Sequence, residues 1–66
     1  MSDLKLTKSV YSIDNIQKAI LAYRGLARIN LHESRRDWHL SFHHCKVDKT
    51  KTIDEFENYL IELENV

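Results

Sequence analysis

The apolar residues change their spacing three times along this chain, and that rhythm restricts the fold more than any other feature. Leu4 and Leu6 alternate with Lys5 and Thr7, so the segment from Leu4 to Val10 opens as a half-buried strand. The period then lengthens. Ile13, Ile16, Ala19, Ile20 and Tyr23 recur at helical spacing after Ser12, a good N-cap, and the pattern predicts a helix over 13–24. Asp14 places a negative charge in its first turn, where the helix dipole favours one. Gly25, the only glycine, is expected to end that helix as a left-handed C′ residue, with Leu26 as the hydrophobic contact of a Schellman ending.

Alternation then returns twice. Ile29 and Leu31 oppose Arg28, Asn30 and His32, which predicts a second strand over 27–33. A polar turn at Ser34 to Asp37 leads into a third strand over 38–46, with Trp38, Leu40 and Phe42 inward and His39, Ser41, His43 and Cys45 outward. After a charged connection from Lys46 to Lys51, Thr52 and Glu55 match a capping box. Ile53, Phe56, Tyr59, Leu60 and Leu63 then stripe a second helix over 53–64.

Strand, helix, strand, strand, helix defines an α+β chain of βαββα order, folded as a single domain over 1–66. A crossover followed by a hairpin gives a three-stranded sheet. The most apolar strand, the third, belongs in its centre, giving the order 2-3-1. Both helices should cover the face lined by Leu4, Leu6, Ile29, Leu31, Trp38, Leu40 and Phe42. This is a ferredoxin-like half-fold without its fourth strand. A chain this short buries only about 60% of its unfolded surface, so its core is small.

Composition excludes several classes. Ten basic and ten acidic side chains cancel, and 42% of residues are hydrophobic, too many for a disordered chain. One cysteine forms no internal disulfide and cannot supply a zinc site needing two or four of them. No run approaches a membrane span, and Met1 to Lys5 is no signal peptide, so the expected location is the cytoplasm.

The uncovered sheet face should carry Lys5, Thr7, Arg28, Asn30, His32, His39, Ser41, His43 and Cys45. A four-residue turn pairs Glu33 with Trp38, and so sets His32 beside His39, Asn30 beside Ser41 and Arg28 beside His43. The imidazoles of His32, His39 and His43 with the Cys45 thiol form the one candidate metal set, for zinc or copper. A solvated polar face explains the same residues. Catalysis is not expected: Cys45 and His43 could approach each other, but no pocket-forming loop accompanies them. Nucleic acid is disfavoured, because the strand aromatics point inward and net charge is zero. The charge is nonetheless divided, since all five charged side chains after residue 52 are acidic and Arg35 and Arg36 sit at the hairpin tip.

Leu4-Lys5-Leu6, Val10-Tyr11-Ser12, Ile16, Lys18-Ala19, the run Trp38-His39-Leu40-Ser41-Phe42, and Phe56, Asn58 and Leu60 together resemble the His-Xaa-Ser system protein HxsD family. These are small accessory proteins found beside radical-SAM enzymes of peptide-modification operons. The resemblance implies a non-catalytic helper that binds a precursor peptide or the modifying enzyme, with no catalytic residue and no cofactor. The residues themselves point to binding at a sheet edge. Strand one stands where a complete ferredoxin-like fold adds its fourth strand, so Leu4, Lys5, Leu6, Thr7 and Lys8 are expected to pair with a peptide, a protein partner or a second copy.

Overall fold

The structure, a computed structural model, describes residues 2–65. Five elements follow in the expected order: β1 (Leu4–Thr7), α1 (Ile13–Tyr23), β2 (Arg28–Glu33), β3 (Asp37–His43) and α2 (Lys49–Glu64). The sheet order is β1-β3-β2, with both pairings antiparallel. No helix among the described residues is long and apolar enough to cross a membrane.

The core forms where both helices meet the inner face of β3. Leu40 and Phe42 are fully buried there with Leu6, Ile16, Ala19, Ala27, Phe56 and Leu60. The Phe42 and Phe56 rings meet edge to face, 5.2 Å apart at 84°. Tyr23 of α1 meets Phe56 in the same way at 5.5 Å, so three aromatic rings join β3, α2 and α1. The remaining inner-face residues, Leu4, Ile29, Leu31 and Trp38, are half-buried around this centre.

The β2–β3 register is the one the turn length implies. Arg28 stands opposite His43, Asn30 opposite Ser41, His32 opposite His39, and Glu33 opposite Trp38. On the other edge Leu4 pairs with Leu40 and Leu6 with Trp38. β1 is shorter than its sequence suggests. The chain turns after Thr7, whose carbonyl accepts from the amides of Val10 and Tyr11, and Val10 is left 62% exposed.

Two helix ends differ from expectation. α2 starts one turn early, because Asp48 caps it: the Asp48 carboxylate accepts from the Lys51 amide at 3.0 Å. Thr52 is therefore not the cap. It is 1% exposed inside the helix, and its hydroxyl donates to the Asp48 carbonyl at 2.9 Å. The earlier start extends one buried stripe through Thr52, Phe56 and Leu60, four residues apart, while Glu55 stays exposed. At the end of α1, Gly25 has no positive φ. The amides of Leu26 and Ala27 instead both donate to the Tyr23 carbonyl, and Leu26 is exposed rather than packed.

The left-handed residue is His44, at φ 53°, immediately after β3. It breaks the alternation of the third strand. Cys45 consequently packs against the core instead of joining the outer face. The Lys46 amide then donates to the Leu26 carbonyl at 2.9 Å, which ties this corner to the start of β2.

These two backbone sites give opposite expectations for substitution. A β-carbon on Gly25 would meet nothing within 4 Å. Gly25→Ala should thus stabilise the fold by about 0.4–1 kcal/mol through the unfolded chain. His44→Gly should also be neutral or stabilising, by up to about 1 kcal/mol, whereas His44→Val should cost about 1–2 kcal/mol. Urea unfolding of the three variants checks both assignments; a stable His44→Val protein would contradict the left-handed corner.

Candidate functional site

Alternation along β1, β2 and β3 leaves Lys5, Thr7, Arg28, Asn30, His32 and His43 exposed on the outer face, with His39 and Ser41 half-buried among them. The His32 and His39 rings lie 6.3 Å apart. The set does not converge further. Among the described residues no three His, Cys, Asp or Glu side chains are grouped to hold a metal ion, and Cys45 has left the face for the core.

His39 is engaged at both ring nitrogens. Nε2 lies 2.9 Å from Ser34 Oγ, whose own proton goes to the Asp37 carbonyl at 3.2 Å. Nε2–H is then the donor to Ser34, and Nδ1 accepts from the Ser2 hydroxyl at 3.2 Å. Such an imidazole has no free lone pair for a metal or a substrate proton. Its bonds instead tie the N-terminal segment and the hairpin turn to the central strand.

The sheet edges offer more. The Lys8 amide donates to the Arg36 carbonyl, so alternate residues of β1 (Leu4, Leu6) bond to β3 while Lys5 and Thr7 turn their backbone groups outward. The Ser34 amide likewise donates to the Asp37 carbonyl. Counting back by twos, Arg28, Asn30 and His32 bond to β3, and Ile29, Leu31 and Glu33 present theirs to the free edge of β2. Both edges are therefore open.

Each edge adjoins a distinct depression. Beyond the end of β1 a cleft of about 440 Å³ is lined by Thr7, Lys8, Ser9, Arg35 and Arg36. Lys8 is committed, because its ammonium pairs with Glu33 and stands 4.6 Å over the Trp38 ring. Arg35 and Arg36 form no ion pair among the described residues. Beside β2 a groove of about 360 Å³ runs between that strand and α1, lined by Gln17, Ile20, Leu21, Arg24, Ile29 and Leu31. The sequence carried one sign of it: Leu21 falls outside the buried stripe of α1 and is 61% exposed.

Two carboxylates secure the frame around these edges. Asp3, just before β1, accepts from the Phe42 amide at 2.8 Å, where β3 runs past the start of that strand, and pairs with Lys49 at 3.1 Å. The Phe42 amide first, and then Lys49, hold its carboxyl below the ordinary value of 3.8. Glu64, at the end of α2, accepts from the Ser12 amide at 2.8 Å, and that bond lowers its carboxyl too. The two helices are thereby joined antiparallel, since Asn15 Nδ2 also donates to the Leu63 carbonyl.

No protein-family model, curated protein or solved structure matches the chain.

The Asp3 bonds make a pH-dependent prediction. A carboxyl depressed by folding stabilises above its unfolded pKa, and that stability is lost as pH falls through the folded value. Asp3→Asn should cost about 1 kcal/mol at pH 7. The gap between wild type and variant should close as pH falls below 3.8, where Asp3 itself protonates. Urea midpoints of both proteins between pH 7 and pH 2 measure it; a constant gap would assign the bonds no ionic part.

Proposed function

We propose that this chain is a non-catalytic binding domain that takes an extended, acidic segment of a peptide or protein as a fourth strand along β1. One observation carries the reading: the free edge of β1 leads directly into the basic cleft. Lys5 and Thr7 present outward backbone groups, and the cleft beyond them holds Arg35 and Arg36, which form no ion pair among the described residues, with the hydroxyl-bearing Thr7 and Ser9. A strand added there would gain main-chain hydrogen bonds from the edge and select acidic side chains through Arg35 and Arg36. Leu4 and Leu6 face the core and hold β1 in register, while Lys8 braces Trp38 rather than meeting the partner.

The non-catalytic part of the reading rests on the two residues best suited to chemistry. Cys45 packs against the core, and both nitrogens of His39 are occupied. The resemblance to HxsD proteins supplies a context, in which the partner is a precursor peptide or the radical-SAM enzyme that modifies it. In that setting the domain would present a peptide in extended form and leave the reaction to the enzyme.

An eight-residue peptide alternating threonine and glutamate tests the reading. Saturable binding should slow hydrogen exchange at the Lys5 and Thr7 amides at least tenfold. Arg35→Glu combined with Arg36→Glu should weaken binding at least tenfold with the thermal midpoint unchanged. Perturbation confined to His39, Ser41 and His43, with Lys5 and Thr7 unaffected, would move recognition to the open face and refute the edge.

A further inference from the structure

The second open edge has a different character, and it fits a second copy of the chain. We infer that two copies pair antiparallel along β2 about a two-fold axis at Asn30, joining two three-stranded sheets into one of six. Three features of the edge, independent of the peptide reading, lead to this register.

The backbone sets the parity. Ile29, Leu31 and Glu33 carry the outward-facing amides and carbonyls of β2. In an antiparallel pair, hydrogen-bonded partners must both come from this set, and their side chains then share a face. A two-fold axis at Asn30 sets Ile29 of one copy against Leu31 of the other, twice. The same axis sets Asn30 against itself and Arg28 against His32 on the outer face.

The apolar groove then closes on its own mate. Ile29 and Leu31 line it from the strand, and Ile20 and Leu21 from α1. The symmetry brings the two α1 helices together on the same side of the joined sheet, with the exposed Leu21 at the seam. An axis one residue further along, at Leu31, would instead set Ile29 against the charged Glu33. The apolar match selects Asn30.

The polar rim of the groove complements this arrangement. The chain leaves α1 at Arg24 and enters β2 at Arg28, so Arg24 lies at the Ile29 end of the groove and Gln17 at the Leu31 end. The two-fold axis reverses that order across the seam. Arg24 of one copy therefore faces Gln17 of the other, whose side-chain carbonyl can accept from its guanidinium. Arg24 forms no ion pair among the described residues and is exposed, whereas Glu33 is already paired with Lys8 over the Trp38 ring and takes no part at the seam. The interface is isologous, so each such contact occurs twice.

Cysteine scanning of the strand reads the register directly. Sedimentation equilibrium of the unmodified protein should show a concentration-dependent monomer–dimer equilibrium. Under mild oxidation Asn30→Cys should form a disulfide-linked dimer at least tenfold faster than Arg28→Cys or His32→Cys, with the bond mapped to position 30 in both chains. A directly opposed, non-hydrogen-bonded pair has the spacing a disulfide needs. On the surface of α1, Leu21→Asn should weaken the dimer at least tenfold and leave the monomer fold intact by amide spectra. Two results would each overturn the proposal: a protein monomeric to millimolar concentration, or cross-linking at position 30 no faster than at 28 and 32.

Discussion

Everything in this fold is arranged around the inner face of β3. It is the one strand of the sheet with neighbours on both sides, and its Leu40 and Phe42 are the side chains that both helices cover. The edge-to-face contact of Phe42 with Phe56, continued by Tyr23, gives a small core a fixed geometry. A chain with so little interior needs that precision, since a few aromatic contacts hold α1 and α2 to one strand. The ladder on either side of β3 follows from it. So does the exposure of the opposite face, which no element among the described residues covers.

Centring the sheet on β3 leaves β1 and β2 each with one free edge, and the two edges are unlike. β1 is four residues long and runs out beside two arginines. β2 is six residues long and runs beside an apolar groove under α1. Free edges are a hazard that natural sheets ordinarily blunt with charge or cover. Here they are the proposed binding surfaces: a polar and basic edge suited to an extended acidic segment, and an apolar edge suited to a second copy. One six-stranded assembly would carry two peptide sites at its outer margins. The histidine face, chemically the most conspicuous part of the sequence, is structural at its centre, because His39 spends both nitrogens on Ser2 and Ser34.

The architecture was legible because it rests on periodicity. A switch between two-residue and helical spacing is a local property, and the hairpin length sets the β2–β3 register without help from the rest of the molecule. The errors fell at the junctions. Thr52 and Glu55 match a capping box, but Asp48 caps α2 because the earlier start extends the buried stripe by a turn. Gly25 was placed in a left-handed turn on residue type alone, and the left-handed residue is His44. That corner sends Cys45 inward and dissolves the metal set that alternation alone had drawn.

Spacing and residue type thus determined the elements, their order, the central place of the third strand and the polar character of the uncovered face. These depend on neighbours a few residues apart. Tertiary structure decided what lies beside each edge. The basic cleft joins Thr7 and Ser9 to Arg35 and Arg36, and the apolar groove joins α1 to β2. It also decided that Asp3 would hold the Phe42 amide and that Glu64 would hold the start of α1. Those partners lie 39 and 52 residues apart in the chain, and only the collapse onto β3 brings them within hydrogen-bonding distance.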